Sequence, residues 1–377
     1  MPQLPPPSQQ DCAYFDFIEG LKIYNYTRNV KGLLENYKEK ASEFQEKKGY
    51  LPSTMEEAGR LLEPDLLYQF ACATQHVAQH MMWSAGADSV KEHHEEILAM
   101  MQQPPGDGVR LELNPGLKLP TWYTEHDIHL TPGGYWGQEL VGPVYQRVLG
   151  IYSTSWRRGR NPGAFLKIAG CAPKRQYRRI LDMGSSTGAL TMALRRVYPE
   201  AEEVIGIDLS TAILKWSSLA AQEQGLKIRF AQADASNTGF PGESFELITA
   251  HLLLHEVPPE VGDQILREAF RLLRPGGHLI IVESPRYGVL PPELAFLEDF
   301  DTRGNGEAFW GPFLSRDLPS VLRGFGFVEV REGPLDYEEP TYWGSAALMR
   351  TGEFKPYNRW VTQGDKPAVQ QRDGKNK

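Results

Sequence analysis

The chain has 377 residues, enough for two to three domains at about 150 residues each. Hydrophobic residues make up 41% and charged residues 23%, ordinary globular usage that excludes a wholly disordered, collagen-like or fibrous chain. Lys and Arg number 40 against 48 Asp and Glu, a net charge of −8 that repels polyphosphate and disfavours nucleic acid as a partner.

Taken in order, residues 1–12 are rich in Pro and Gln and read as a flexible leader, with neither the basic n-region nor the apolar h-region of a signal peptide. From Tyr14 to Met101 the pattern is mostly helical. Ser53 or Thr54 is placed to cap the run Glu56–Arg60, and Leu66 to Met82 repeats apolar residues at three-to-four spacing. Residues 103–122 carry Pro104, Pro105, Gly106, Gly108, Pro115 and Pro120 and read as a linker. A short aromatic cluster, Trp122 to Trp136, precedes another helix around Glu139–Leu149.

After Arg178 the character changes. Strands are expected at Arg179–Met183, Glu203–Ile207, Ile228–Gln232, Phe245–Thr249 and His278–Val282, with helices between them at Ala189–Val197, Thr211–Gln224 and Val261–Leu273. Strands alternating with helices predict right-handed crossovers and a mainly parallel sheet. One more helix and two strand-like runs, Val328–Arg331 and Ser345–Met349, follow Leu318. The expected organisation is a helical region over 1–145, an α/β domain over 146–350 and a polar tail over 351–377. Apolar runs such as Leu279–Val282 are far shorter than the roughly 20 residues of a membrane span. Cys12, Cys72 and Cys171 are an odd, widely spaced set that suggests neither a disulfide framework nor a thiolate metal site. A cytoplasmic protein with no membrane partner is the expectation.

The central signal is Leu181-Asp182-Met183-Gly184-Ser185-Ser186-Thr187-Gly188 at a strand-to-helix junction, where small residues let backbone turn tightly beside a ligand. Asp208 ends the next strand, placed to accept hydrogen bonds from ribose hydroxyls, and Asp234 follows the third strand within Ala233-Asp234-Ala235. These segments, with Ile205-Gly206-Ile207-Asp208-Leu209-Ser210, Phe240-Pro241, Ser244–Ile248 and Leu272–Leu279, resemble the successive motifs of class I S-adenosylmethionine (SAM)-dependent methyltransferases over about residues 175–285. The resemblance implies a Rossmann-like, mostly parallel seven-stranded sheet with a helical N-terminal domain. It also implies SAM as cofactor, S-adenosylhomocysteine (SAH) as product and a small-molecule acceptor. By that resemblance Asp182 orients the methionine ammonium and Gly184, Ser186 and Gly188 line the cofactor. Asp208, with Leu209 beside it, takes the ribose, while Asp234 and Ala235 take the adenine. Ser186 departs from the pattern, since many members carry glycine there.

For the chemistry, His255 in His255-Glu256 resembles the His-Asp pair of small-molecule O-methyltransferases and is the candidate general base, packing beside the cofactor being the other reading. His251 is assigned to cofactor contact. His126, His129, Tyr135 and Trp136 form a candidate lid or surface turn, and His126-Asp127-Ile128-His129 matches no metal-ligand signature, so no metal is expected. Tyr287 and Trp310 belong to an aromatic insertion suited to a planar acceptor, or else to packing on the N-terminal helices. His76 and His80, and the run His93–Glu96, read as helix surface. A hydroxyl oxygen is the favoured target, with nitrogen, sulfur or carbon transfer, or a non-catalytic SAM-binding subunit, as alternatives. A homodimer is compatible with the helical region.

Overall fold

The structure is a computed structural model that describes residues 2–152, 163–335 and 359–368. Its centre is one sheet of eight strands: β1 Val109–Glu112, β2 Arg179–Met183, β3 Glu203–Asp208, β4 Ile228–Gln232, β5 Phe245–His251, β6 Leu273–Glu283, β7 Val328–Pro334 and β8 Trp360–Asp365. They lie in the order β1-β4-β3-β2-β5-β6-β8-β7. Every pairing is parallel except the two made by β8, which runs antiparallel to β6 and β7. The Rossmann-like, mostly parallel reading holds, with eight strands where seven were expected.

The extra strand is β1, inside the segment expected to be a linker. Four residues flanked by glycines and prolines carry no readable period. Their strand character comes from pairing with β4, Val109 opposite Ile228. The polar C-terminal tail is corrected too, because β8 lies within residues 351–377. Its polarity has partners inside the fold: the buried His278 of β6 is hydrogen-bonded through Nδ1 to Asp365 (2.9 Å) and through Nε2 to Gln363 (3.1 Å). Burying polar groups in such pairs removes the penalty that keeps polar runs out of sheets. The expected strand Ser345–Met349 lies outside the described residues.

Ile180, Leu181 and Met183 of β2 are fully buried, as the middle strand of a sheet covered on both faces requires. The helices Ala189–Val197, Thr211–Glu223 and Pro259–Leu272 provide that cover. Chain direction across the sheet reverses between β2 and β5, which opens a crevice at the strands' C-terminal ends.

The N-terminal helices are Gln9–Tyr24, Lys31–Lys48, Met55–Leu62, Leu66–Lys91 and His94–Gln102, and of these Leu66–Lys91 lines that crevice. The Thr54 hydroxyl accepts from the Glu57 N–H and caps the third of them. Phe15, Ile18, Met82 and Trp83 share a core with Ala212, Ile213 and Trp216 of the sheet helix Thr211–Glu223. Helix Leu66–Lys91 is nine residues longer than its expected end at Met82. Its inner face reaches the crevice with Gln79, Met82 and Trp83. Among the described residues no helix is long and apolar enough to cross a membrane.

Candidate active site

A cavity of about 240 Å³ fills the crevice. One end is built by the turn after β2. Gly184 and Gly188 sit at φ 68° and 76°, and Ser186 at φ 46° takes the same left-handed region. That conformation costs a non-glycine residue about 1–2 kcal/mol. Two contacts hold it: the Ser186 N–H donates to Asp208 Oδ2 at 2.9 Å, and its carbonyl accepts from the Ser217 hydroxyl at 2.7 Å. At Gly184 a Cβ would stand 2.7 Å from Leu253 Cδ1, so only glycine lets the turn lie this close to the loop after β5.

Asp182, Asp208 and Asp234 follow one another at the ends of β2, β3 and β4, two strand spacings apart in all, about 10 Å. Asp182 accepts from the hydroxyls of Thr191 (2.6 Å) and Thr249 (2.7 Å). Burial raises its pKa to about 6, against the pull of those two hydrogen bonds. Burial also raises Asp208, opposed by the backbone N–H groups of Ser210 and Ser186. Asp234 is held through Oδ1 by the N–H and hydroxyl of Ser236. Leu209, Ala235 and His251 line the same end, with the His251 ring edge-on to Phe165 at 5.5 Å.

The other end holds a chain of five acid and imidazole groups. His129 Nε2 meets Glu256 Oε1 at 2.8 Å and its Nδ1 meets Glu307 Oε1 at 2.9 Å. His255 Nδ1 meets Glu283 Oε2 at 2.5 Å, and its Nε2 lies 3.5 Å from Glu256. Glu283 also accepts from the N–H groups of Leu253 and Leu254, so it anchors the loop after β5 as well as the ring. His129 stands at φ 58° and Leu130 at φ 60°, a strained pair that the two carboxylates fix in place. Tyr135 and Trp310 wall this end, Trp310 edge-on to His255 at 4.6 Å. The outer oxygens Oε2 of Glu256 and Glu307 and the Tyr135 hydroxyl are buried without a hydrogen-bond partner among the described residues.

Burial alone would lower the pKa of His255, but the charge of Glu283 and hydrogen bonds to Glu256 and Glu283 outweigh it and raise it to about 10. His129 is driven well above its ordinary value by Glu256 and Glu307 in the same way, against burial. Glu256 would be raised by burial, yet the two imidazoles hold it well below the carboxylate range. A histidine whose folded pKa exceeds its unfolded value contributes stability below the unfolded pKa and loses it as pH rises through the folded one. The unfolding free energy of the wild type relative to His255→Gln should therefore shrink between pH 6.5 and about 10. Urea titrations across that range check it, and a constant difference would contradict the imidazolium assignment.

Of the residues singled out from sequence, Asp182, Gly184, Ser186, Asp208, Leu209, Asp234, Ala235, His251, His255, His129, Tyr135 and Trp310 all line the one cavity. Gly188 stands just behind it as the N-cap of Ala189–Val197, where a Cβ would come 3.0 Å from Phe230. Three substrate candidates do not line it. Trp136 is 46% exposed, the His126 ring packs against Phe309, and the Tyr287 hydroxyl donates to Asp299 at 2.8 Å beneath the insertion. His76 is turned away to the Gly304 carbonyl at 2.8 Å. Sequence reasoning missed Tyr123, Glu283 and Glu307. Glu256 was noted only as the neighbour of His255. Glu283 carried one readable signal, its place at the end of an apolar strand, where an acid must have a purpose.

Residues 180–277, about a quarter of the chain, match the family described as methyltransferase domain. A demethylmenaquinone methyltransferase of Thermus thermophilus is 35% identical over 141 residues, 37% of this chain and 57% of that protein. A ubiquinone/menaquinone biosynthesis C-methyltransferase of Vibrio vulnificus is 33% identical over 115 residues, 30% of this chain and 44% of that one. Over residues 180–277 the chain is similar to methyltransferase domains, as the motif resemblance implied. It spans about half the length of the curated methyltransferases it matches, and the matched stretch is the strand-and-turn unit that carries Asp182, Gly184, Ser186, Gly188, Asp208 and Asp234. Among solved structures, phosphoethanolamine N-methyltransferase 2 of Haemonchus contortus with SAM aligns at 18% identity and TM-score 0.42, over 58% of this chain and 54% of that chain.

Proposed function

We propose that this protein transfers the methyl group of SAM to a hydroxylated, planar small molecule, at a hydroxyl oxygen. The observation that carries the reading is the single cavity shared by the three strand-end acids and the imidazole–carboxylate chain. SAM fits the first end by donor set and by shape. Asp182 faces its ammonium, Asp208 its ribose, Asp234 and Ala235 its adenine edge, and the turn at Gly184 packs so closely on Leu253 that no side chain fits there. The sulfonium supplies an electrophilic methyl group, so this chain must mainly align the acceptor and handle one proton.

Trp83, Trp122, Tyr135, Tyr145 and Trp310 offer flat apolar walls at the other end, suited to an aromatic ring. A hydroxyl on that ring would donate to the open oxygen of Glu256 or Glu307. His255 is not the base in this reading: an imidazole raised to about 10 between two carboxylates already carries its proton. Three carboxyl groups in the chain face two imidazoles, which leaves one carboxylate in excess to receive the acceptor's proton as the new bond forms. His255 and His129 orient that carboxylate.

The relatives' names favour a second target, a ring carbon beside the hydroxyl. Loss of the same hydroxyl proton would activate that carbon, so both readings use the same groups. Turnover of hydroxylated aromatics with methyl-13C SAM, followed by NMR of the product, distinguishes them. A methyl carbon bonded to oxygen is expected. One bonded to the ring would move the assignment to carbon, and no labelled product from any hydroxylated aromatic would sink the proposal.

A further inference from the structure

Carboxylates line the cavity along its length: Asp182, Asp208, Asp234, Glu256 and Glu307. Its one Lys or Arg among the described residues is Arg359. This residue lies outside every glycine-turn motif and outside the segment matched to the family. It directly precedes β8, whose first residue Trp360 pairs with Glu283 at the C-terminal end of β6. Because β8 runs antiparallel, its start arrives at the same edge of the sheet as the ends of β2, β3 and β4. The Arg359 carbonyl accepts from the Leu335 N–H at 2.8 Å, which pins the backbone there.

We propose that Arg359 binds the carboxylate of the cofactor's amino-acid end. The proposal rests on the reading of the cavity as the SAM site. With adenine at β4 and ribose at β3, the amino-acid end runs past β2 toward β5, where His251 and Phe165 meet. From β5 to β8 is two strand spacings, about 10 Å, within reach of an extended arginine and its hydrogen bond. At this end of the cavity, away from the His129 and His255 imidazoles, a carboxylate placed elsewhere would face Asp182, Asp208 and Asp234 at low dielectric. Beside Arg359 it meets a planar guanidinium able to bind both oxygens.

Calorimetry with SAH and with 5′-methylthioadenosine, which lacks the amino-acid end, tests this. Arg359→Gln should weaken SAH binding about tenfold to a hundredfold and leave 5′-methylthioadenosine unchanged, with Arg359→Lys between the two. Unchanged SAH affinity in Arg359→Gln overturns the proposal, and so does an effect confined to acceptor KM, which would place the guanidinium on the acceptor instead. Should the variants fail to fold, the wild type still decides. It should prefer SAH over its decarboxylated analogue at least about tenfold, and equal affinities would overturn the assignment. A wild type that binds neither SAH nor 5′-methylthioadenosine would instead refute the cofactor reading beneath it.

Discussion

Asp208→Ala should weaken SAH binding by about a hundredfold to ten-thousandfold in a calorimetric titration. The size follows from two charge-assisted hydrogen bonds to the ribose, at about 1.5–3 kcal/mol each. The Asp208 carboxylate is half-buried at a cost that raises its pKa, and the N–H groups of Ser186 and Ser210 (both 2.9 Å) offset only part of that cost. Losing the carboxylate also leaves those two N–H groups without an acceptor, so a lower melting temperature should accompany the loss of affinity. Asp208→Asn keeps the shape while removing the charge, and it should lose most of the same affinity. Retained SAH binding in both variants would show that the strand-end acids do not hold the cofactor.

Glu256→Gln should lower single-turnover rates about a hundredfold to ten-thousandfold while SAH affinity stays within a few-fold. Glu256 is the link between the two imidazoles, 2.8 Å from His129 and 3.5 Å from His255. Removing its charge leaves His129 with Glu307 and His255 with Glu283 as their remaining acidic partners, and it takes away a carboxylate proposed to accept the acceptor's hydroxyl hydrogen bond. Breaking a buried pair of this kind typically costs about 3–5 kcal/mol, so the unfolding midpoint in urea should drop as well. The pH profile separates a chemical role from a purely structural one, because the imidazoles of the variant should titrate nearer the ordinary histidine range. A variant that turns over at the wild-type rate would remove Glu256 from the chemistry.

The cofactor end was legible because each of its groups follows a strand at a fixed offset. Local sequence alone puts Asp182, Gly184, Ser186 and Gly188 in one turn, and the βαβ repeat carries Asp208 and Asp234 to the neighbouring strand ends. The acceptor end was less so. His129 meets Glu256 and Glu307 from positions 127 and 178 residues away, through a left-handed turn that no spacing rule foretells. His126 and His129 looked alike in sequence, yet the backbone at His129 turns one ring into the cavity and the other packs on Phe309. His255 lines the cavity. Its protonation depends on Glu283, which only the β5–β6 pairing brings to it. Similarly, β1 owes its strand state to pairing at the sheet edge, and β8 to its place between β6 and β7 and to buried polar partners, rather than to apolar alternation.

The most direct test of the whole account is a crystal structure with SAH bound. The ribose hydroxyls should lie on Asp208, the sulfur beside Gly184, and the space beyond the sulfur should open onto Tyr135, Glu256 and Glu307. A sulfur that faces away from those three side chains, or a ribose remote from Asp208, would contradict it.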